Sequence, residues 1–165
     1  MSPEIKALQV EDWASVAAIY RQGIDGGQAT FEISVPSWEA WDKSHLSVGR
    51  LVARRDDRVV GWAALSPVSA RQVYAGVAEV SVYVATDSQR AGVGRALLEE
   101  LVAAAERERI WTLQAAVFPE NVATLALHRS CGFREVGRRH RIAKLNGQWR
   151  DTILLERRSS LVGVD

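Results

Sequence analysis

Hydrophobic residues alternate with polar ones in some segments and recur every three to four positions in others, which predicts a mixture of strands and helices. The alternating or continuous apolar runs predict seven strands, over Ile5–Leu8, Arg50–Arg55, Val59–Leu65, Val77–Val84, Thr112–Val117, Arg138–Leu145 and Trp149–Arg157. The helical spacing predicts four helices, one from Asp12, one from Ser37, one from the glycines at 92 and 94 to about Arg109, and one over Asn121–Cys131. The chain is therefore expected to be a mixed α/β protein.

Capping and turn residues set the expected ends of these elements. Asp12 and Ser37 are N-cap residue types at the starts of the first two helices, and Gly132 is a left-handed C-cap for the last one. Asp56-Asp57-Arg58 predicts one hairpin turn, and Asn146-Gly147 is a strong signal for another. Three glycines are expected to interrupt the first helix: Gly23, Gly26 and Gly27.

The strand Val77–Val84 has two different faces, because successive side chains of a strand point to opposite sides. One face is purely apolar, and the other carries groups that can react or form hydrogen bonds. The apolar face consists of Val80, Val82 and Val84. The other face consists of Glu79, Ser81 and Tyr83.

The composition is that of an ordinary globular protein, with 47% hydrophobic and 25% charged residues. A length of 165 residues predicts one domain, over residues 1–158, followed by a flexible tail at 159–165. The net charge of +1, from 21 basic and 20 acidic residues, gives no support for binding nucleic acid or an anionic membrane.

Cys131 is the single cysteine, which excludes an intramolecular disulfide and fits a reducing compartment. Met1–Ala7 contains Glu4 and Lys6 and so lacks the apolar block of a signal peptide. No apolar run approaches the ~20 residues that cross a bilayer. The expected location is the cytoplasm.

A loop with two closely spaced glycines follows the strand Val77–Val84 and precedes a helix. The start of a helix carries unpaired N–H groups and a partial positive charge, and here Arg90 and Arg95 add full charges. The segment is therefore expected to hold a pyrophosphate. A Walker-type loop is excluded because Gly94 is followed by Arg95-Ala96, and a dinucleotide fingerprint is excluded because position 97 is leucine. A tight turn without a ligand stays the alternative.

The spacing of Gln89, Gly92 and Gly94 resembles the acetyl-CoA loop of the GNAT superfamily of N-acetyltransferases, and the order of elements along the chain resembles the fold of that family. The resemblance implies a central mixed, mostly antiparallel, twisted sheet flanked by about four helices, and acetyl-CoA as co-substrate. The cofactor contacts that it implies are Val82, Tyr83, Val84, Gln89, Arg90, Ala91, Gly92, Val93, Gly94, Arg95 and Asn121.

The segment from Asn121 to Gly132-Phe133 resembles a second part of the family pattern. In that pattern the asparagine contacts the cofactor arm, and a tyrosine four residues before the glycine protonates the leaving thiolate. This chain has His128 at the tyrosine position, and an imidazolium is a competent acid near neutral pH. The alternatives are a helix-capping role for Asn121 and a packing role for His128, with water as the acid.

A narrower resemblance concerns the phosphinothricin and methionine sulfoximine acetyltransferases, carried by Thr30-Phe31-Glu32, by the strand around Glu79 and by Gly147–Asp151. It implies a homodimer that acetylates the amino group of a small amino-acid-like compound. The implied substrate-binding residues are Thr30, Phe31, Glu32, Arg71, Tyr74, Glu79 and Ser81. Arg71 has the guanidinium geometry that pairs with a carboxylate, and its alternative is an exposed surface arginine.

Direct acetyl transfer requires a base, because an alkyl amine like that of lysine titrates near ~10.4 and losing its proton at neutral pH costs ~4–5 kcal/mol. Glu79 is the predicted general base, with Glu32 in reserve. No metal site is expected, and Cys131 is interpreted as a small buried residue rather than a nucleophile. Other candidate acceptors are a polyamine, an aminoglycoside, an arylalkylamine or a protein N-terminus; a non-catalytic acyl-CoA sensor is the alternative from another class.

Overall fold

Seven strands and four helices make up the fold in the computed structural model, which describes residues 2–165. Met1, the first residue of the predicted domain, lies outside the described residues. The elements are β1 (Glu4–Ala7), α1 (Trp13–Gly26), α2 (Trp38–Ser44), β2 (Leu51–Arg55), β3 (Arg58–Pro67), β4 (Val77–Val84), α3 (Val93–Arg107), β5 (Thr112–Val117), α4 (Val122–Ser130), β6 (Arg134–Leu145) and β7 (Gln148–Arg158). Within the described residues, no helix has the length and apolarity to cross a membrane.

All seven strands form one sheet, in the order β1-β2-β3-β4-β5-β7-β6. Every neighbouring pair is antiparallel except β4 and β5, which run parallel. The prediction of a mixed, mostly antiparallel sheet with four helices is confirmed.

The ladder between β4 and β5 is short. It contains only the pairs Val77–Thr112, Ala78–Leu113 and Glu79–Gln114, although β4 continues to Val84 and β5 to Val117. Beyond Glu79 the two strands therefore separate, and the β4 edge that faces the gap has backbone groups without a partner strand. Such groups remain available to a ligand.

The core lies on both faces of the sheet. On one face, α3 and α4 pack against a cluster that includes Leu97, Leu101 and Val80. On the other face, α1 and α2 pack against a second cluster that includes Trp41, Trp62 and Tyr83. The predicted division of β4 into two faces is confirmed, since Val80, Val82 and Val84 contact the first cluster and Tyr83 the second.

The first helix differs from its prediction at both ends. It runs through Gly23 to Gly26 and is capped by Gly27, which adopts a left-handed conformation, so the first two glycines do not interrupt it. The Asp12 carboxylate accepts from the backbone N–H of Gln9 (2.9 Å) and pairs with Arg54 instead of capping the helix. Helix–sheet packing therefore outweighs the glycine propensities here.

The hairpins follow the predicted turn chemistry. Asn146 and Gly147 have φ values of +50° and +80°, as a two-residue hairpin turn requires. The β6 strand begins at Arg134, four residues earlier than predicted, because its first residues pair with the end of β7, as in Arg134–Glu156.

Residues 159–163 fold back onto the domain. Ser159 is buried, and the Arg158 guanidinium donates to the carbonyl oxygens of Ser159 (2.8 Å), Val162 (2.9 Å) and Gly163. Gly163 lies against Trp111. The domain boundary at residue 158 and the flexibility of the tail stay predictions.

Candidate active site

Two adjoining cavities open along β4. The first, here called the sheet cavity, has a volume of about 240 Å³ and lies between β4, β5 and the segment 28–31. The second, here called the loop cavity, has a volume of about 430 Å³ and lies between the glycine loop and α4. Six residues line both cavities and so mark their junction: Ala29, Val82, Tyr83, Asn121, Thr124 and His128.

The start of α3 gives the loop cavity an anion-binding wall. The helix has no side-chain cap and no acidic residue in its first turn, and its first hydrogen bond runs from Ala96 N–H to Gly92 O. The N–H groups of Val93, Gly94 and Arg95 therefore have no helical acceptor. Gly92 adopts a φ of +80°, and a Cβ on Gly94 would come within 3.2 Å of Leu127, so the loop is tightly shaped around this helix start.

Ten of the eleven residues predicted to contact the cofactor line this loop cavity. The exception is Ala91, whose carbonyl oxygen accepts a hydrogen bond from Arg55 (3.4 Å). Arg95 lies in the wall, where its Nε donates to Glu99 (2.7 Å) and its two amino groups are left for an anion. The predicted cradle thus has the chemistry of a phosphate site.

Glu79 lies in the sheet cavity at the point where β4 and β5 separate. Its Oε1 accepts a hydrogen bond from Gln114 Nε2 (3.1 Å) on the neighbouring strand. Ser81, the next residue on the same face of β4, also lines the cavity. The carboxylate is therefore fixed from one side and faces the space in which an amine would bind.

The segment 28–31 closes the sheet cavity, and Arg150 of β7 holds it in place. The Arg150 guanidinium donates to Gly27 O (3.1 Å) and to Gln28 Oε1 (2.7 Å), and it lies 3.9 Å from the centre of the Phe118 ring. Phe118 in turn packs edge-on against Phe31 at 4.9 Å. Thr30 and Phe31, both predicted to bind substrate, thereby become part of the cavity wall.

Three predicted substrate residues lie outside both cavities of their own chain: Glu32, Arg71 and Tyr74. Glu32 lies near Tyr20, whose pKa is raised to about 12 by burial and by the Glu32 charge. Arg71 stacks over Tyr74 at 5.6 Å, and Tyr74 is 45% exposed. Within one chain, the fold therefore does not bring Arg71 and Tyr74 to Glu79.

Asn121 joins the helix to the cavity-closing segment. Its Oδ1 accepts from Thr124 N–H (3.2 Å), which caps α4, and its Nδ2 donates to the carbonyl oxygen of Gln28 (3.1 Å). The helix-capping interpretation is correct, and it is compatible with a cofactor contact because Asn121 also lines both cavities.

His128 is 4% exposed and lies at the junction of the cavities. Its Nδ1 is 2.8 Å from the carbonyl oxygen of Thr124, and since a carbonyl only accepts, Nδ1 carries the proton. Burial lowers the pKa of His128, although this hydrogen bond opposes the shift. Burial thus disfavours the imidazolium form that the predicted acid role requires, and Nε2 is left facing the cavities.

Cys131 is half-buried, and burial raises the pKa of its thiol. A raised pKa leaves little thiolate, so the side chain has the properties of an inert small residue. Over residues 2–165, no group of three or more His, Cys, Asp or Glu side chains is arranged to hold a metal ion.

Sequence reasoning missed four polar residues of the site: Gln28, Gln114, Thr124 and Thr152. Thr124 had a signal, because it lies three residues after Asn121 and four before His128 on one helix face. Gln114 interrupts a strand that is otherwise apolar from Leu113 to Val117. Gln28 and Thr152 reach the cavity only through the tertiary fold.

Comparison with known proteins agrees with this geometry. The model of the acetyltransferase (GNAT) family matches residues 10–133. A phosphinothricin N-acetyltransferase from Alcaligenes faecalis is 34% identical over 159 residues, covering 93% of this chain and 81% of the relative. An L-methionine sulfoximine/L-methionine sulfone acetyltransferase from Pseudomonas aeruginosa is 26% identical over 162 residues, covering 94% of each protein.

A solved structure carries the same fold together with the co-substrate. The phosphinothricin acetyltransferase from Sinorhizobium meliloti, in complex with acetyl-CoA, superposes with a TM-score of 0.91 at 27% identity, covering 100% of this chain and 92% of that one. The family match, the open β4–β5 pair and the uncapped start of α3 lead to one assignment. The chain belongs to the acetyltransferase (GNAT) family and is an acetyl-CoA-dependent N-acetyltransferase.

Proposed function

We propose that the enzyme acetylates the amino group of a small amino-acid-like compound of the phosphinothricin, methionine sulfoximine or methionine sulfone type. The observation that carries this proposal is the sheet cavity of about 240 Å³, which joins the loop cavity and places a carboxylate, Glu79, on its wall. A cavity of this size suits a small molecule rather than a polymer. The names of the relatives from Alcaligenes faecalis and Pseudomonas aeruginosa support the same substrate class.

Glu79 is the proposed general base of the transfer. When bound, acetyl-CoA supplies the thioester carbonyl that the amine attacks, and the uncapped start of α3 with Arg90 and Arg95 would hold its phosphates. Glu79 takes the proton of the ammonium group, directly or through one water, so that the nitrogen lone pair is free to form the new C–N bond. An N–H group of Val82 or Val84, on the β4 edge that faces the gap, stabilises the negative charge that develops on the carbonyl oxygen.

His128 acts at the other side of this junction. Its proposed role is to accept a hydrogen bond through Nε2, from the amine or from a water that Glu79 shares, rather than to supply the proton for the departing thiolate, since Nδ1 donates to Thr124 O and burial disfavours the charged ring. Water is then the proposed proton donor to that sulfur.

We further propose that the enzyme is a homodimer and that Arg71 and Tyr74 complete the site of the partner subunit. Both residues lie outside the cavities of their own chain, yet they stack on each other next to the exposed Val73. A guanidinium reaching across the dimer interface would pair with the substrate carboxylate.

Mixing two inactive variants tests the dimer. Co-expressed Arg71→Ala and Glu79→Gln subunits form mixed dimers in which one site keeps both residues, so we expect acetylation that neither variant shows alone. The measurement is thiol release by the purified mixture. If Arg71→Ala is inactive and the mixture stays inactive, Arg71 does not act across subunits.

The single free cysteine, Cys131, fits a reducing compartment. We therefore propose the cytoplasm as the site of action. Fractionation of expressing cells, followed by detection of the protein, tests this location.

Thiol-release kinetics with acetyl-CoA across a panel of amines test the substrate class. The panel contains phosphinothricin, methionine sulfoximine and methionine sulfone, with a polyamine, an aminoglycoside, an arylalkylamine and an alanine-terminated peptide. We expect the highest kcat/KM among the first three. Turnover of another amine without any of these three would refute the proposed substrate class and leave the family assignment intact.

A further inference from the structure

Thr152 on β7 has a buried hydroxyl group with no hydrogen-bond partner. The residue is 4% exposed and lines the sheet cavity, and no protein group pairs with its Oγ1. Three other buried side-chain nitrogen or oxygen atoms of residues 2–165 also lack a partner, namely Trp41 Nε1, Arg55 Nε and Trp62 Nε1, and none of these residues lines either cavity. Thr152 is therefore the case in which an unpaired polar group coincides with a binding site.

The strand register places Thr152 away from Glu79. Ile153 pairs with Val117, so Thr152 is level with Phe118, whereas Glu79 pairs with Gln114. Four residues of extended chain separate these two levels, which at a rise of about 3.3 Å per residue corresponds to about 13 Å. A molecule whose amine lies at Glu79 would therefore reach Thr152 only with the opposite end of its chain.

The part of the cavity wall that comes from β5 and the turn after it is apolar. The residues that β5 and its following turn contribute to the cavity are Ala115, Ala116, Val117 and Phe118. A valine would fill the same volume as Thr152 and leave no polar atom unpaired. A buried hydroxyl without a partner destabilises a protein, and a ligand that pairs with it gains both the hydrogen bond and selectivity over an analogue that lacks the polar group.

We propose that Thr152 is a specificity-determining residue, whose hydroxyl forms a hydrogen bond with a polar group at the far end of the substrate side chain. A hydroxyl both donates and accepts, so it matches a sulfone or phosphinyl oxygen as well as a sulfoximine nitrogen. This inference rests on the proposed function, because it assumes an amino-acid-like acceptor with its amine at Glu79.

The test compares two acceptors that differ only in the sulfur-bound oxygens, methionine sulfone and methionine. Thr152→Val is expected to lower kcat/KM for methionine sulfone about 10-fold, since one hydrogen bond is lost. For methionine, Thr152→Val should keep kcat/KM within about twofold of the wild-type value, because no polar contact is lost there. If methionine turns over slowly, its inhibition constant is compared instead. Thr152→Ser retains the hydroxyl and should retain the preference for the sulfone.

Thr112→Val is the matched control, since it makes the same chemical change on β5 outside both cavities. It should leave kcat/KM unchanged for both acceptors. If Thr152→Val changes kcat/KM equally for both acceptors, or for neither, the proposed role of Thr152 is refuted even if the proposed function holds. If the wild-type enzyme acetylates none of phosphinothricin, methionine sulfoximine and methionine sulfone, the proposed function fails instead. The same variants are then compared on the amine that the panel identifies and on its analogue without the side-chain polar group, where the same loss of preference is required.

Discussion

Replacing Glu79 by glutamine is expected to lower kcat by ~10²–10⁴-fold and to leave acetyl-CoA affinity unchanged. In the wild-type protein, Gln114 Nε2 donates to Glu79 Oε1 at 3.1 Å. Glutamine at position 79 keeps the size of the side chain and an oxygen that can accept this hydrogen bond, but it cannot take a proton. Thiol release at saturating amine measures kcat, and titration calorimetry with acetyl-CoA measures the affinity. Raising the pH should restore part of the lost rate, since the amine then loses its proton without a base.

Two other variants isolate this effect. Glu156→Gln removes a carboxylate from β7, where Glu156 pairs with Gln114 in the strand register outside both cavities, and it should retain full activity. Glu32→Gln removes the reserve base. A large loss in Glu32→Gln with little loss in Glu79→Gln would transfer the role to Glu32. A protein that binds acetyl-CoA and turns over no amine in any form would be a sensor rather than an enzyme acting on this panel.

Replacing Gly94 by aspartate is expected to raise the KM for acetyl-CoA by about 10²-fold or more, because two like charges ~4 Å apart near a protein surface repel by about 4 kcal/mol. The new carboxylate would stand beside the free N–H groups at the start of α3, where the phosphates of the co-substrate are expected. The helix itself should tolerate the change. An acidic residue in the first turn of a helix is favourable, and the nearest atom to the new Cβ is the flexible end of Leu127 at 3.2 Å.

Gly137→Asp is the matched control for this variant. Gly137 lies on β6 outside both cavities, and a Cβ there would meet no atom within 4 Å. Its KM for acetyl-CoA should equal that of the wild-type enzyme, and thermal unfolding of all three proteins should show that each is folded. A KM for Gly94→Asp within a few fold of the wild-type value would place the phosphates elsewhere.

Features that depend on neighbouring residues could be predicted from the sequence. The bounds of β4 and β5 agree with their predictions because apolar residues at alternate positions, bounded by turn residues, specify strands locally. Ser37 caps α2 as expected, with its Oγ accepting from Ala40 N–H (3.1 Å). The glycine loop could be predicted for the same reason, since the glycines that set its conformation and the arginines that carry its charge lie within a few residues of each other.

Features that depend on distant pairings could not be predicted. The contact between Arg150 and Gln28 joins residues 122 positions apart, and neither residue has a local pattern that points to the other. Nor does the sequence show on which side of the sheet Arg71 falls, because the loop before β4 can leave the strand in several directions. The partner of Glu79, Gln114, depends on a parallel pairing that only the crossover through α3 establishes.

The early end of the β4–β5 ladder also decides what holds the molecule together. The backbone link between strands β1–β4 and strands β5–β7 is a ladder of three residue pairs, with two further hydrogen bonds to Gly76 O just before it. Side chains supply the remaining continuity, since one hydrophobic cluster contains Leu65 from the first group, Leu98 from α3 and Leu155 from the second. At the centre of the sheet, side-chain packing therefore holds the two groups of strands together where the backbone ladder stops.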